Sequence, residues 1–195
     1  ISTTSATVTL NKGSGTGAFS ITDGSVSDTL TATNTATSVG NGNWGTAATW
    51  DVIESPVSGN LAVVAHNVDV AATAAIGNSP AEGNTVLTVN ASTTLTVKTG
   101  VTFTVKGDIN CSGILQVGEA GGGATLEFDA SGASSPSSQQ YKLLLNAVAA
   151  TLTTRGTSGA HTTIRSNVGG GNAFTVGVTG KGLWDCQWCD FLRVG

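Results

Sequence analysis

The chain has 195 residues, 39% of them hydrophobic and only 10% charged, with a net charge of -4 and a pI near 4.9. Its eight Lys and Arg are scattered without a basic stripe, which argues against nucleic-acid binding. No run of about 18 apolar residues is present to span a membrane as a helix. Ser and Thr make about a quarter of the chain and Gly supplies 27 residues, a composition of many strands and tight turns.

The length permits one domain, or one domain with an N-terminal arm. Residues 1–40 are rich in Ser, Thr and Gly and contain two alternating pieces, Ala6, Val8 and Leu10, then Phe19 and Ile21. The glycine run Gly13–Gly17 between them is placed to turn a hairpin. This predicts an N-terminal β arm. Its apolar surface is too small for a core of its own, so it is expected to lie against the rest of the chain or a neighbouring subunit. A flexible linker is the alternative reading of such a tract. The chain opens at Ile1 with no charged segment followed by an apolar one, and reads as a processed chain or the ordered part of a longer one.

The main domain is assigned to residues 41–195. After a loop at Gly40–Asn43 come Trp44 and Trp50, two large aromatics placed to plug the open end of a first coil. Leu61 and Val63, then Val68 and Val70, begin an alternation. The sequence Trp44-Gly-Thr-Ala-Ala-Thr-Trp50-Asp51, with Pro56 and then Gly59-Asn-Leu-Ala-Val-Val-Ala-His66-Asn-Val-Asp-Val70, resembles the start of G8-like right-handed parallel β-helix modules. The resemblance covers roughly Trp44 to Val117. The usual glycine-rich turn after the second Trp is replaced by Asp51-Val-Ile-Glu-Ser55. Such modules occur in large extracellular proteins and phage virion proteins, and the family implies a fold and not one activity.

From Val86 to Phe128 the alternation becomes a repeat. Leu87 and Val89, Leu95 and Val97, Phe103 and Val105, Leu115 and Val117, and Leu126 and Phe128 each form a short burst, broken by Gly, Asn and Ser. Side chains two apart on a strand face the same way, so each burst has a dry and a wet face. One strand per side and about three sides per coil gives a rung of some twenty-odd residues, the pattern of a β-solenoid. Thr96, Thr104, Lys98 and Lys106 are expected to face water.

The Ser-rich stretch 130–140 reads as a loop, and loops carry specificity on such scaffolds. Tyr141–Leu145 returns to the core, and Leu152, Ile164, Phe174 and Val176 continue the rungs. The stretch Gly182–Leu192 is very apolar and contains Trp184, Trp188 and Phe191. It reads as a rung without a lid, so the chain is expected to continue past Gly195 or to meet another subunit there.

No set of residues announces catalysis or a cofactor. Three cysteines, Cys111, Cys186 and Cys189, cannot all pair with one another. Residues three apart on one strand point to opposite faces, so Cys186 and Cys189 are expected to diverge as small core residues, with Trp184, Cys186 and Trp188 on one face. Glu127 and Asp129 point outward together, as paired carboxylates of polysaccharide-cleaving enzymes do, yet no basic partner stands beside them in sequence. Asp185 and Asp190 share that gap. His66 and His161 lie in turn-like contexts without a nucleophile motif, and Gly13, Gly15 and Gly17 lack the Lys of a phosphate loop. Asn90-Ala-Ser92 and Asn110-Cys-Ser112 match the N-glycosylation acceptor. The outward Thr88, Thr96, Thr102 and Thr104 read as an ordinary wet β face, interrupted by Lys98 and Lys106.

These readings converge on an all-β chain: a right-handed parallel β-helix, or β-solenoid, with an N-terminal β arm. The expected function is structural and non-enzymatic, in a phage virion (fibre, spike or capsid decoration) or another extracellular assembly. A carbohydrate-binding or carbohydrate-active module, and a cell-surface adhesin or filament subunit, are the alternatives. No catalytic, metal or cofactor site is expected. The expected partners are further copies of the chain, through the arm and the C-terminal rung, and a surface glycan, with no nucleic acid and no membrane span.

Overall fold

The computed structural model describes residues 18–23, 26–31, 35–52, 54–77, 84–129, 141–167, 174–178 and 182–192, with the backbone alone described for 18–31 and 174–178. An antiparallel pair comes first, β1 (Ala18–Asp23) with β2 (Val26–Thr31). Thus Phe19 and Ile21 lie in a strand whose partner follows them in sequence. The partner expected before them, at Ala6–Leu10, and the Gly13–Gly17 turn lie outside the described residues.

From Thr35 onward the described residues form a parallel β-helix. Its first coil holds β3 (Thr35–Thr37), β4 (Gly42–Asn43) and a short 3-10 turn, Ala47–Thr49. The second holds β5 (Leu61–Val64), β6 (Val68–Val70) and β7 (Ala74–Ile76). The third holds β8 (Thr85–Val89), β9 (Thr94–Val97) and β10 (Thr102–Val105). The fourth holds β11 (Asp108–Cys111), β12 (Ile114–Val117) and β13 (Thr125–Phe128). The fifth holds β14 (Tyr141–Leu145), β15 (Thr151–Arg155) and β16 (Thr162–Ser166). The sixth holds β17 (Phe174–Val178), β18 (Leu183–Gln187) and β19 (Cys189–Leu192). Equivalent strands stack into three sheets, β3-β5-β8-β11-β14-β17, β4-β6-β9-β12-β15-β18 and β7-β10-β13-β16-β19. Every pairing between coils is parallel. Among the described residues the corners hold no helix beyond the 3-10 turn at Ala47–Thr49, and each strand pairs with its equivalent in the next coil.

The stacked sheets reach back to Thr35, earlier than the expected boundary at residue 40, and Gly42–Asn43, expected as loop, is a short strand.

The core consists of columns of like side chains. Val68, Leu95, Leu115 and Leu152 stack inside the second sheet, and Ala62, Leu87, Ile109 and Leu143 inside the first. All eight residues expected in the core, Leu95, Val97, Phe103, Val105, Leu115, Val117, Leu126 and Phe128, are at most 1% exposed. Thr96, expected in water, is buried. It points outward, but it lies between Asp69 on one coil and Gln116 on the next, whose longer side chains cover a short threonine. Thr104, Lys98 and Lys106 keep partial exposure.

Strand β5 carries the opposite register to the one expected. Ala62 and Val64 are buried, while Leu61 and Val63 face outward and are half-buried. Leu-Ala-Val-Val is apolar on both faces, so its own pattern leaves the register open. Stacking decides it, because Ala62 pairs with Leu87 and Val64 with Val89.

Trp44 and Trp50 are buried at the first coil, ring centroids 4.9 Å apart and edge-on, as expected of a plug. Trp44 also meets Phe103 at 4.8 Å. Both indole N–H groups are satisfied: Trp44 donates to the Pro56 carbonyl at 3.0 Å and Trp50 to the Trp44 carbonyl at 2.8 Å.

The register of β5 has a direct consequence. Val64→Thr places a hydroxyl in a dry column and should cost about 1–3 kcal/mol, whereas Val63→Thr should stay within about 0.5 kcal/mol of the parent. Urea denaturation of the two variants checks this, and equal losses would contradict the register.

Candidate functional site

The outward faces carry most of the charge, and stacking sets carboxylates beside cations from other coils. On the second sheet Lys98 Nζ lies 3.0 Å from Asp69 and 2.7 Å from Glu119. The hydrogen bond to Glu119, then that to Asp69, raises the Lys98 pKa. On the third sheet Lys106 lies 3.6 Å from Asp129, and Arg165 lies directly over Glu127, its Nη2 at 2.7 Å and its Nε at 2.8 Å from Glu127 Oε2. In the last two coils Arg155 pairs with Asp185 and holds that carboxyl below its ordinary pKa. His161 Nδ1 sits 3.1 Å from both Asp190 oxygens.

Glu127 and Asp129 therefore do have basic partners, contrary to expectation. Arg165 is 38 residues from Glu127 in sequence and reaches it only because β16 stacks on β13. The two carboxylates remain on the outer face but are largely covered, their side chains 13% and 11% exposed. Beside the Glu127–Arg165 pair lies a cleft of about 300 Å³, lined by Glu127, Arg165, Ser166, Asn167 and Leu192.

The cysteines also depart from expectation. Cys186 and Cys189 form a disulfide, Cα atoms 6.1 Å apart. The segment is not one strand. β18 ends at Gln187 and β19 starts at Cys189, with Trp188 between them in the left-handed region at φ 50°. The chain turns a corner there and the two sulfurs meet. Cys186 lies over buried Thr154, whose hydroxyl donates to its sulfur at 3.0 Å, and Cys189 lies over buried Thr162. The bond ties the second sheet to the third in the last coil. Trp184 and Phe191 lie over Leu152 and Ile164 and stack face to face, centroids 5.5 Å apart at 7°. Trp188 leaves that face and lies against His161 instead, at 5.8 Å. Cys111 is free and buried in the first sheet, where desolvation pushes its thiol up to about 11. Tyr141 is buried too, and desolvation, with the charges of Asp129 and Asp108, pushes its phenol up to about 12.

The other singled-out residues have structural surroundings. His66 Nδ1 lies 2.8 Å from the Ser38 carbonyl, and the Ser38 hydroxyl accepts from the backbone N–H groups of Ala65 and His66. Asn110 accepts a hydrogen bond from the Asn146 amide, and Ser92 occupies a left-handed turn at φ 63°. Thr88, Thr96, Thr102 and Thr104 fall on three different sheets and form no single face. The 130–140 loop lies outside the described residues, as does the Gly13–Gly17 run. Among the described residues no group of three or more His, Cys, Asp or Glu is arranged to hold a metal ion, and no helix is long and apolar enough to cross a membrane.

No family model, curated protein or solved structure matches this chain. The resemblance to G8-like modules therefore stands on the sequence pattern alone.

The sulfur arrangement predicts a specific thiol count. Iodoacetamide at pH 8 should label no cysteine in the native chain, because Cys111 is buried and largely protonated there. In urea it should label one of the three, and in urea after reduction all three. Mass spectrometry reads the count, and two or three labels without reduction would refute the disulfide.

Proposed function

We propose that this chain is a structural, non-enzymatic β-solenoid module of an extracellular assembly, a bacteriophage virion component such as a fibre, spike or capsid decoration. The observation that carries the reading is the sixth coil. β17, β18 and β19 are the outermost strands of their sheets among the described residues, so each offers an unpaired edge of N–H and C=O groups. The same coil exposes Leu183, Trp184 and Trp188, each about half exposed or more. Open edges and apolar surface together favour stacking on a further rung, supplied by more of the polypeptide, by another copy of the chain or by a neighbouring subunit.

Two features support the setting. A disulfide persists in oxidising surroundings outside the reducing cytosol. The G8-like resemblance points to extracellular and virion proteins. The charged pairs of the outer faces are explained as ties between coils, of which the solvent-exposed ones add little stability.

Sedimentation velocity tests the assembly directly. The chain should form species larger than its 19.3 kDa monomer at micromolar concentration, and Trp184→Ser with Leu183→Ser should shift it toward monomer. A monomer at every concentration, unchanged by the substitutions, would remove the basis of the reading. Mass spectrometry of purified extracellular particles tests the location, and recovery of the chain only from cell lysate would count against it.

A further inference from the structure

We propose that the cleft beside Glu127 and Arg165 is a binding site for a neutral sugar ring, held through two adjacent hydroxyls. The inference does not rest on the assembly reading, since a solenoid can stack without binding sugar.

The argument begins with what the ion pair leaves unused. Both hydrogen bonds from Arg165, through Nε and Nη2, go to one oxygen, Glu127 Oε2. Among the described residues nothing else holds Glu127 Oε1 or Arg165 Nη1. Strands in a sheet lie about 4.8 Å apart, and Arg165 sits directly over Glu127. The site therefore offers a carboxylate acceptor and a guanidinium donor side by side. A hydroxyl both donates and accepts, so two neighbouring hydroxyls on a ring match this pair, one donating to Oε1 and the other accepting from Nη1.

The charge balance selects the ligand class. Glu127 neutralises Arg165, so the pair carries no net charge to attract an anion, and a carboxylate or phosphate ligand would face Glu127 at close range. The cleft, at about 300 Å³, lies at the small end of ligand sites and suits one or two sugar rings better than a peptide. Its walls add what a sugar needs besides the pair. Exposed Asn167 brings an amide that donates and accepts, and Leu192, 48% exposed, offers apolar surface to the C–H face of a ring. Glu127 is held with its side chain only 13% exposed, so the acceptor is fixed before a ligand arrives, while Arg165 at 44% stays accessible.

The test uses the full chain and saturation-transfer NMR with methyl mannoside, methyl galactoside and methyl glucoside, and with glucuronate as the anionic counterpart. At least one neutral glycoside should bind, and more tightly than glucuronate. Glu127→Gln and Arg165→Lys should each weaken that binding about tenfold or more, since each removes a charge-assisted hydrogen bond. Arg165→Lys lies at an exposed position and keeps the charge, so it decides the matter if Glu127→Gln fails to fold by circular dichroism. Lys98→Ala, on a different sheet, should leave binding unchanged. The proposal is overturned if no neutral glycoside binds, if glucuronate binds more tightly than all of them, or if binding survives Arg165→Lys.

Discussion

Everything in this molecule depends on the parallel stacking of equivalent strands. Each coil alone is two or three short strands with no partner, too little to bury a core. Placed on the next coil, the backbone groups pair and the inward side chains close into columns such as Val68, Leu95, Leu115 and Leu152. The same stacking sets the register of ambiguous strands, buries Thr96 beneath its taller neighbours and brings Arg165 onto Glu127. A solenoid has few contacts beyond nearest neighbours, so local pairing is what specifies the whole.

The two described ends of the column are built differently. At the first coil Trp44 and Trp50 fill the interior, with both indole N–H groups bonded to carbonyls. At the last coils the inward columns change character. Val117 gives way to Thr154 and then Cys186, and Phe128 gives way to Ser166. The interior there is closed by a disulfide and a stacked Trp184–Phe191 pair. That coil leaves aromatic surface in contact with water, while the first coil hides its tryptophans.

The outer surface is organised on the same lattice. Carboxylates and cations meet across coils and not along a strand, as in Asp69 with Lys98 and Glu127 with Arg165. Such pairs add little stability in water. Where one leaves a donor and an acceptor unused beside a cleft, it becomes a recognition element, and the third sheet has one such place.

The all-β class, the coil of about three strands and the inward set from Leu95 to Phe128 were legible in the sequence, because period-two alternation is a local property of the chain. The plug formed by Trp44 and Trp50 was legible too, since two bulky aromatics stand just ahead of the first alternating strands, where an open end needs filling. The register of Leu61–Val64 was not, because both of its faces are apolar and only the neighbouring coil chooses between them. The Cys186–Cys189 bond was not, because it depends on a corner at Trp188 that turns one apparent strand into two. The cleft was not, because Glu127 and Arg165 are 38 residues apart, and the lengths of the intervening turns, not their alternation, determine which residues stack. Where the two faces of a strand differ in polarity, local pattern fixes which way a side chain faces; only the tertiary stacking decides what stands beside it.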